Sequence, residues 1–141
     1  MTTHGEEETE ALAERLAAKF QGGEVVLLSG ELGAGKTAFV RGLARGVGAD
    51  PTLVSSPTFV LLTSHPGRLA LHHADLYRLR GDGDELEIGL DELPGPRGVL
   101  AIEWAERLQE PLWNDPVRVH LAHGGDDVRH LRIEGGAPSL T

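Results

Sequence analysis

The 141-residue chain contains no cysteine, which excludes disulfides, thiolate zinc sites and a cysteine nucleophile. The same lack agrees with a reducing compartment. Lysine is nearly as scarce: Lys19 and Lys36 are the only two among 13 basic residues. Against them stand 22 acidic residues, and the formal net charge of −9 argues against a broad basic face for gripping nucleic acid. No apolar run approaches the ~18 residues needed to span a bilayer. Residues 1–10 carry four glutamates and neither lysine nor arginine, unlike a secretory leader. No membrane association is expected, and a cytoplasmic location follows by elimination.

The length suits one domain with one core, expected over residues 1–134, with residues 135–141 as a flexible C-terminal tail. Hydrophobic residues at 40% and charged residues at 25% describe a globular chain. Leu12, Leu16 and Phe20 recur every four residues, which predicts a helix over residues 9–20 with Thr9 as its cap. Residues 25–28 form an unbroken apolar run, as in a strand buried on both faces. A second helix follows the glycine-rich residues 30–35, with Phe39, Val40, Leu43 and Val47 on one face. Residues 58–63 and 69–77 flank the turn signal His65-Pro66-Gly67 and predict a hairpin. The acidic residues 82–93 predict one or two short helices. Residues 99–104 read as another buried strand, followed by a short helix over 105–109. Residues 117–122 and 128–133 surround Gly124-Gly125 as a terminal hairpin. Strand–helix alternation in front and hairpins behind define an α/β domain with a mixed sheet.

Gly30-Glu31-Leu32-Gly33-Ala34-Gly35-Lys36-Thr37 satisfies G-x-x-x-x-G-K-[ST]. Glycines let successive backbone N–H groups curl around phosphate oxygens, and the following helix offers its positive N-terminus. Lys36 can then reach the β- and γ-phosphates, and the Thr37 hydroxyl can ligate Mg²⁺. Drawn at random from this composition, such a string arises somewhere in roughly 0.3% of chains, and here it also lies between a strand and a helix. Glu31, Leu32, Gly33, Ala34, Gly35, Lys36, Thr37 and Ala38 are therefore the candidate nucleotide-binding residues.

Phosphate-bound Mg²⁺ also calls for a carboxylate at a neighbouring strand end. Glu103 ends the apolar run 99–102 and is favoured for that place. Asp75 ends residues 69–74 and is read as a second acidic group near the phosphates or the attacking water. Ser55-Ser56-Pro57-Thr58 is by itself a turn; in a nucleotide-binding protein Ser56 or Thr58 becomes a candidate sensor of the γ-phosphate. His72 and His73 are adjacent, so on a strand they face opposite sides and form no metal pair. One of them is expected to pack or to donate a hydrogen bond. Trp104 reads as a core residue, and His120, His123 and His130 lack zinc-site spacing. A small kinase or a nucleotide-sensing adaptor with little hydrolysis could be built on the same loop.

Taken in order, the marks resemble the TsaE family of small bacterial P-loop ATPases. They are Glu8-Thr9, the loop 30–37, Ser56-Pro57-Thr58-Phe59, His73-Ala74-Asp75-Leu76-Tyr77-Arg78, Glu87-Ile88-Gly89-Leu90 and Glu103-Trp104. The resemblance implies a single P-loop NTPase-like domain that binds ATP or ADP, with Thr37 and Glu103 holding Mg²⁺ and Thr9 near the adenine. It implies catalytic roles for Lys36, Asp75, Glu103 and Thr58. It further implies work with the partners TsaB and TsaD, which form threonylcarbamoyladenosine at position 37 of tRNA. The chain would hydrolyse ATP while docked on them and meet tRNA only indirectly.

Overall fold

Apolar runs without polar alternation become strands buried on both faces of a sheet, and alternating runs become strands with one face in water. The computed structural model describes residues 1–31, 33–54, 62–77, 89–108 and 112–136. In chain order they form β1 (Thr2–His4), α1 (Glu6–Ala17), β2 (Val25–Gly30), α2 (Lys36–Gly46), β3 (Leu62–His65), β4 (Ala70–Asp75), β5 (Gly98–Glu103), β6 (Val117–His123) and β7 (Val128–Gly135). Short 3₁₀ turns cover Pro51–Leu53, Leu90–Glu92 and Ala105–Arg107.

The strands make one mixed sheet in the order β1-β7-β6-β2-β5-β4-β3. β6, β2, β5 and β4 run parallel, with Leu28 opposite Glu103 and Asp75 opposite Glu103. Antiparallel β3 and β7–β1 close the two sides. Every residue of β5 is buried, as its position between two parallel neighbours requires. β6 alternates instead, burying Val117, Val119 and Leu121 while Arg118 and His120 face water.

Alternation sorts the core into two layers. Val26, Leu28, Val99, Ala101, Leu71 and Val119 face α1 and α2, where they meet Leu12, Leu16, Phe20, Phe39 and Leu43. Val25, Leu27, Leu100 and Ile102 face the other way and are covered by Leu76, Leu90, Leu93, Trp104, Leu108 and Trp113. Each fully buried large side chain contributes about 1.5–3 kcal/mol. The helices touch closely at Gly42, where a Cβ would stand 2.2 Å from the Glu10 carbonyl oxygen. Arg68 ties their C-terminal ends together, donating to the carbonyls of Phe20 (2.8 Å), Ala17 (3.2 Å) and Gly46 (3.1 Å). A cation there answers the negative ends of both helix dipoles.

The first helix begins three residues before the predicted start, and Thr9 is not its cap. Gly5 holds that position, and Glu6, Glu7 and Glu8 in the first turn stabilise the positive end. The Thr9 hydroxyl instead donates to the Gly5 carbonyl (3.2 Å) and shares a 2.7 Å hydrogen bond with Thr3 inside the fold. β1 went unpredicted because three residues carry no period; its pairing with β7 defines it. Both predicted hairpins form, although residues 58–61 lie outside the described residues. So do residues 82–88, 109 and 137–141, with which parts of the acidic helix, the helix over 105–109 and the tail fall out of view.

Candidate functional site

β2 ends at Gly30, where the chain must turn away from the sheet. Its φ is 137°, and a Cβ would stand 2.1 Å from the Leu121 carbonyl oxygen of β6, so only glycine fits. The loop returns at Gly35, a left-handed residue (φ 101°) at the N-cap of α2. Among the described residues no side chain caps α2 by a hydrogen bond, and its first turn has no acidic residue, in contrast to α1. Amide groups at such a helix start are able to receive an anion.

Lys36 opens α2 but turns back into the loop. Its Nζ donates to the carbonyls of Gly30 (2.5 Å) and Glu31 (2.8 Å) and lies 3.9 Å from the centre of the Trp104 ring. Burial pushes its pKa below the usual 10.5, while Glu106, Glu103, Asp75 and Glu31 act against that shift. Trp104 is held in the left-handed region (φ 60°), at a backbone cost of about 1–2 kcal/mol for a non-glycine residue. It packs against Tyr77 with ring centres 4.9 Å apart and the ring planes tilted by 50°. Trp104, read as a core residue, packs half-buried on the second core layer and also covers Lys36, because the left-handed turn after Glu103 swings it toward the loop.

One residue further on, the Thr37 hydroxyl donates to Glu103, 3.0 Å from Oε1 and 3.3 Å from Oε2. Glu103 is 2% exposed and also accepts a 2.6 Å hydrogen bond from His73 Nε2. Asp75 lies opposite Glu103 on β4, is buried, and accepts from the Tyr77 amide (2.9 Å). A hydroxyl beside a carboxylate is a hard oxygen set of the kind Mg²⁺ accepts, with phosphates and water completing its shell. Among the described residues no group of three or more histidine and acidic side chains could hold a metal by itself.

The structure thus gathers Glu31, Gly33, Ala34, Gly35, Lys36, Thr37, Ala38, Asp75 and Glu103 around the carboxyl ends of β2, β4 and β5, where open α/β sheets bind ligands. Leu32, Thr58 and Arg78 lie outside the described residues. Thr9 joins Gly35 and Ala38 in lining a cavity of about 140 Å³, closed by Gly5, Glu6, Asp127 and Arg129. Sequence reasoning missed the last two, since a single arginine on a generic hairpin carries no signal. It missed Glu106 as well, whose carboxylate accepts from the Gly30 amide (3.2 Å). His73 was open to view: two residues before Asp75 on a strand, it must share that carboxylate's face.

A strand, a glycine-bearing turn, a buried lysine and a hydroxyl at a helix start define a P-loop nucleotide-binding protein. The family model for the threonylcarbamoyl adenosine biosynthesis protein TsaE matches residues 3–131, and the chain belongs to the TsaE family. It is 40% identical over 126 residues to the Bacillus subtilis tRNA threonylcarbamoyladenosine biosynthesis protein TsaE, covering 89% of this chain and 78% of that protein. The protein of the same name from Streptomyces coelicolor is 41% identical over 132 residues, at 88% of both chains. That from Treponema pallidum is 43% identical over 111 residues, at 79% of this chain and 82% of its own. The crystal structure of YdiB from Bacillus subtilis matches with a TM-score of 0.71 and 33% identity, over 94% of this chain and 82% of that one. Among the described residues no helix is long and apolar enough to cross a membrane.

Proposed function

We propose that the chain binds ATP and ADP with Mg²⁺ in the loop 30–37 and hydrolyses ATP. In this reading it serves the formation of tRNA threonylcarbamoyladenosine by acting on TsaB and TsaD. The carrying observation is the hydrogen bond from Thr37 to buried Glu103 at the mouth of α2, one residue from buried Lys36. This brings a hydroxyl, a carboxylate and an ammonium group to one helix start, the combination that phosphoryl transfer from a nucleotide requires.

On nucleotide binding, the amides at the start of α2 receive phosphate oxygens, and Lys36 exchanges its two carbonyl acceptors for them. Thr37 and Glu103 would hold the metal, which when bound neutralises charge on the transferring phosphoryl oxygens. Asp75, beside Glu103, is suited to accept a hydrogen bond from the attacking water. The cavity lined by Thr9, Gly35, Ala38 and Arg129 is the place for the nucleoside end. Thr58 is assigned to sensing the γ-phosphate. The net charge of −9 supports leaving the tRNA contact to TsaB and TsaD. Turnover by the isolated chain is expected to be slow, because a further cation ordered by docking can raise such rates by ~10³–10⁵. The test is steady-state phosphate release at saturating Mg·ATP, alone and with purified TsaB–TsaD. Stimulation by the partners is the expected result; its absence would leave a nucleotide-sensing adaptor as the better account.

A further inference from the structure

The β4 residues that face the helices read Leu71, His73, Asp75, and the middle one is a fully enclosed imidazole. An apolar side chain would serve packing better there, since a buried polar group destabilises unless its hydrogen bonds are made. His73 makes only half of its own. Nε2 reaches Glu103 Oε2 at 2.6 Å, while Nδ1 is buried with no hydrogen-bond partner among the described residues. A histidine held at that cost calls for a reason at the nitrogen that is engaged. We propose that His73 is a positioning residue for the metal-holding carboxylate: its Nε2–H fixes one oxygen of Glu103 so that the other stays turned toward Thr37 at the start of α2.

The geometry divides the two oxygens unequally. Oε2 takes the short bond from His73, and Oε1 is the nearer of the two to Thr37, at 3.0 Å against 3.3 Å. Without the His73 donor, Oε2 keeps only the longer 3.3 Å contact to Thr37 among the described residues, and the carboxylate can rotate. The ring itself is well placed to hold still. Its strand is hydrogen-bonded on both sides, with Thr63 of β3 and Ala101 of β5 opposite His73. Carboxylates that bind metals are commonly oriented in this way, and loss of the orienting group weakens metal binding by 10- to 100-fold. The inference rests on the reading of Thr37 and Glu103 as the metal-holding pair.

The experiment compares two amides. In His73→Gln the side-chain nitrogen reaches about as far as Nε2, whereas in His73→Asn it stops near the position of Nδ1. Calorimetric titration of ADP with Mg²⁺ and with chelator gives the enhancement of affinity due to the metal for each protein. His73→Asn is expected to lower that enhancement by about 10-fold with chelator-only affinity unchanged, and His73→Gln to retain most of it. Full enhancement in His73→Asn alongside its loss in Glu103→Gln would overturn the proposal. Equal losses in the Asn and Gln variants would overturn it too, since the donor would not be what matters. No enhancement in the wild type would instead refute the metal reading of Thr37 and Glu103. Long-range ¹H–¹⁵N spectra of the unsubstituted protein give a second measurement that needs no variant to fold. A proton on His73 Nε2 is expected; a ring protonated at Nδ1 alone would overturn the proposal.

Discussion

Gly30→Ala tests whether the phosphate loop is launched by a backbone contact between β2 and β6. The new methyl group would stand 2.1 Å from the Leu121 carbonyl oxygen and 3.1 Å from its carbon, neither of which belongs to a side chain that can swing aside. Two costs combine. The backbone at φ 137° lies where only glycine is at ease, which strains alanine by about 1–3 kcal/mol. Forcing the strands apart adds the usual overpacking cost of about 1–3 kcal/mol. The combined loss of about 2–6 kcal/mol corresponds to a fall in Tm of about 7–20 °C for a chain of this length. Gly125→Ala isolates the backbone part, because Gly125 has φ 97° and a Cβ there meets nothing within 4 Å. Thermal unfolding of the nucleotide-free proteins by circular dichroism decides the matter. If Gly30→Ala melts no lower than Gly125→Ala, the close approach of β2 to Leu121 does not shape the loop.

Arg68→Leu strips one cation from three helix-end carbonyls, so chemical unfolding should show a loss of about 2–4 kcal/mol with the m-value unchanged; a loss under about 0.5 kcal/mol would contradict the tie. Burial pushes the pKa of His72 below 6.5, and burial plus the neighbouring His73 does the same to His65 against the pull of Asp50. The unfolded chain then binds those protons first, so stability should fall as pH drops through 6.5 and level off below the depressed native values. Tm measured across that range should show the fall, and His72→Gln should lessen it, leaving the part due to His65. Asp75→Asn should lose turnover while keeping most of its Mg·ADP affinity, and Thr37→Val should lose the Mg²⁺ dependence of binding; titration and phosphate release together would expose a reversal.

What could be read in advance follows from how far each signal reaches along the chain. Residues 25–28 and 99–102 are continuous apolar runs, and both proved to be neighbouring parallel strands because only a strand buried on two faces needs such a run. The turn from β2 into α2 was legible because the pattern G-x-x-x-x-G-K-[ST] has a fixed spacing between strand and helix. Glu103 and Asp75 were legible as carboxylates at strand ends, which the register then set opposite each other. The sandwiching of Lys36 between loop carbonyls and Trp104 was not, since it depends on a left-handed turn that a tryptophan does not advertise. Nor was the approach of Arg129 to the start of α2, which is a product of long-range pairing of β7 with β6 and β1. The start of α1 was misplaced because three glutamates behind a glycine signal a helix by charge rather than by a capping side chain.

Calorimetric titration of Mg·ADP into the wild type and Lys36→Met probes the nucleotide reading at its centre. Methionine keeps the length and packing of the stem under Trp104 while removing the ammonium group. The account predicts one saturable site in the wild type and affinity weaker by about 10- to 100-fold in Lys36→Met, the worth of a charge-assisted contact to phosphate. Equal affinity in the two proteins, or no binding by the wild type, would contradict it.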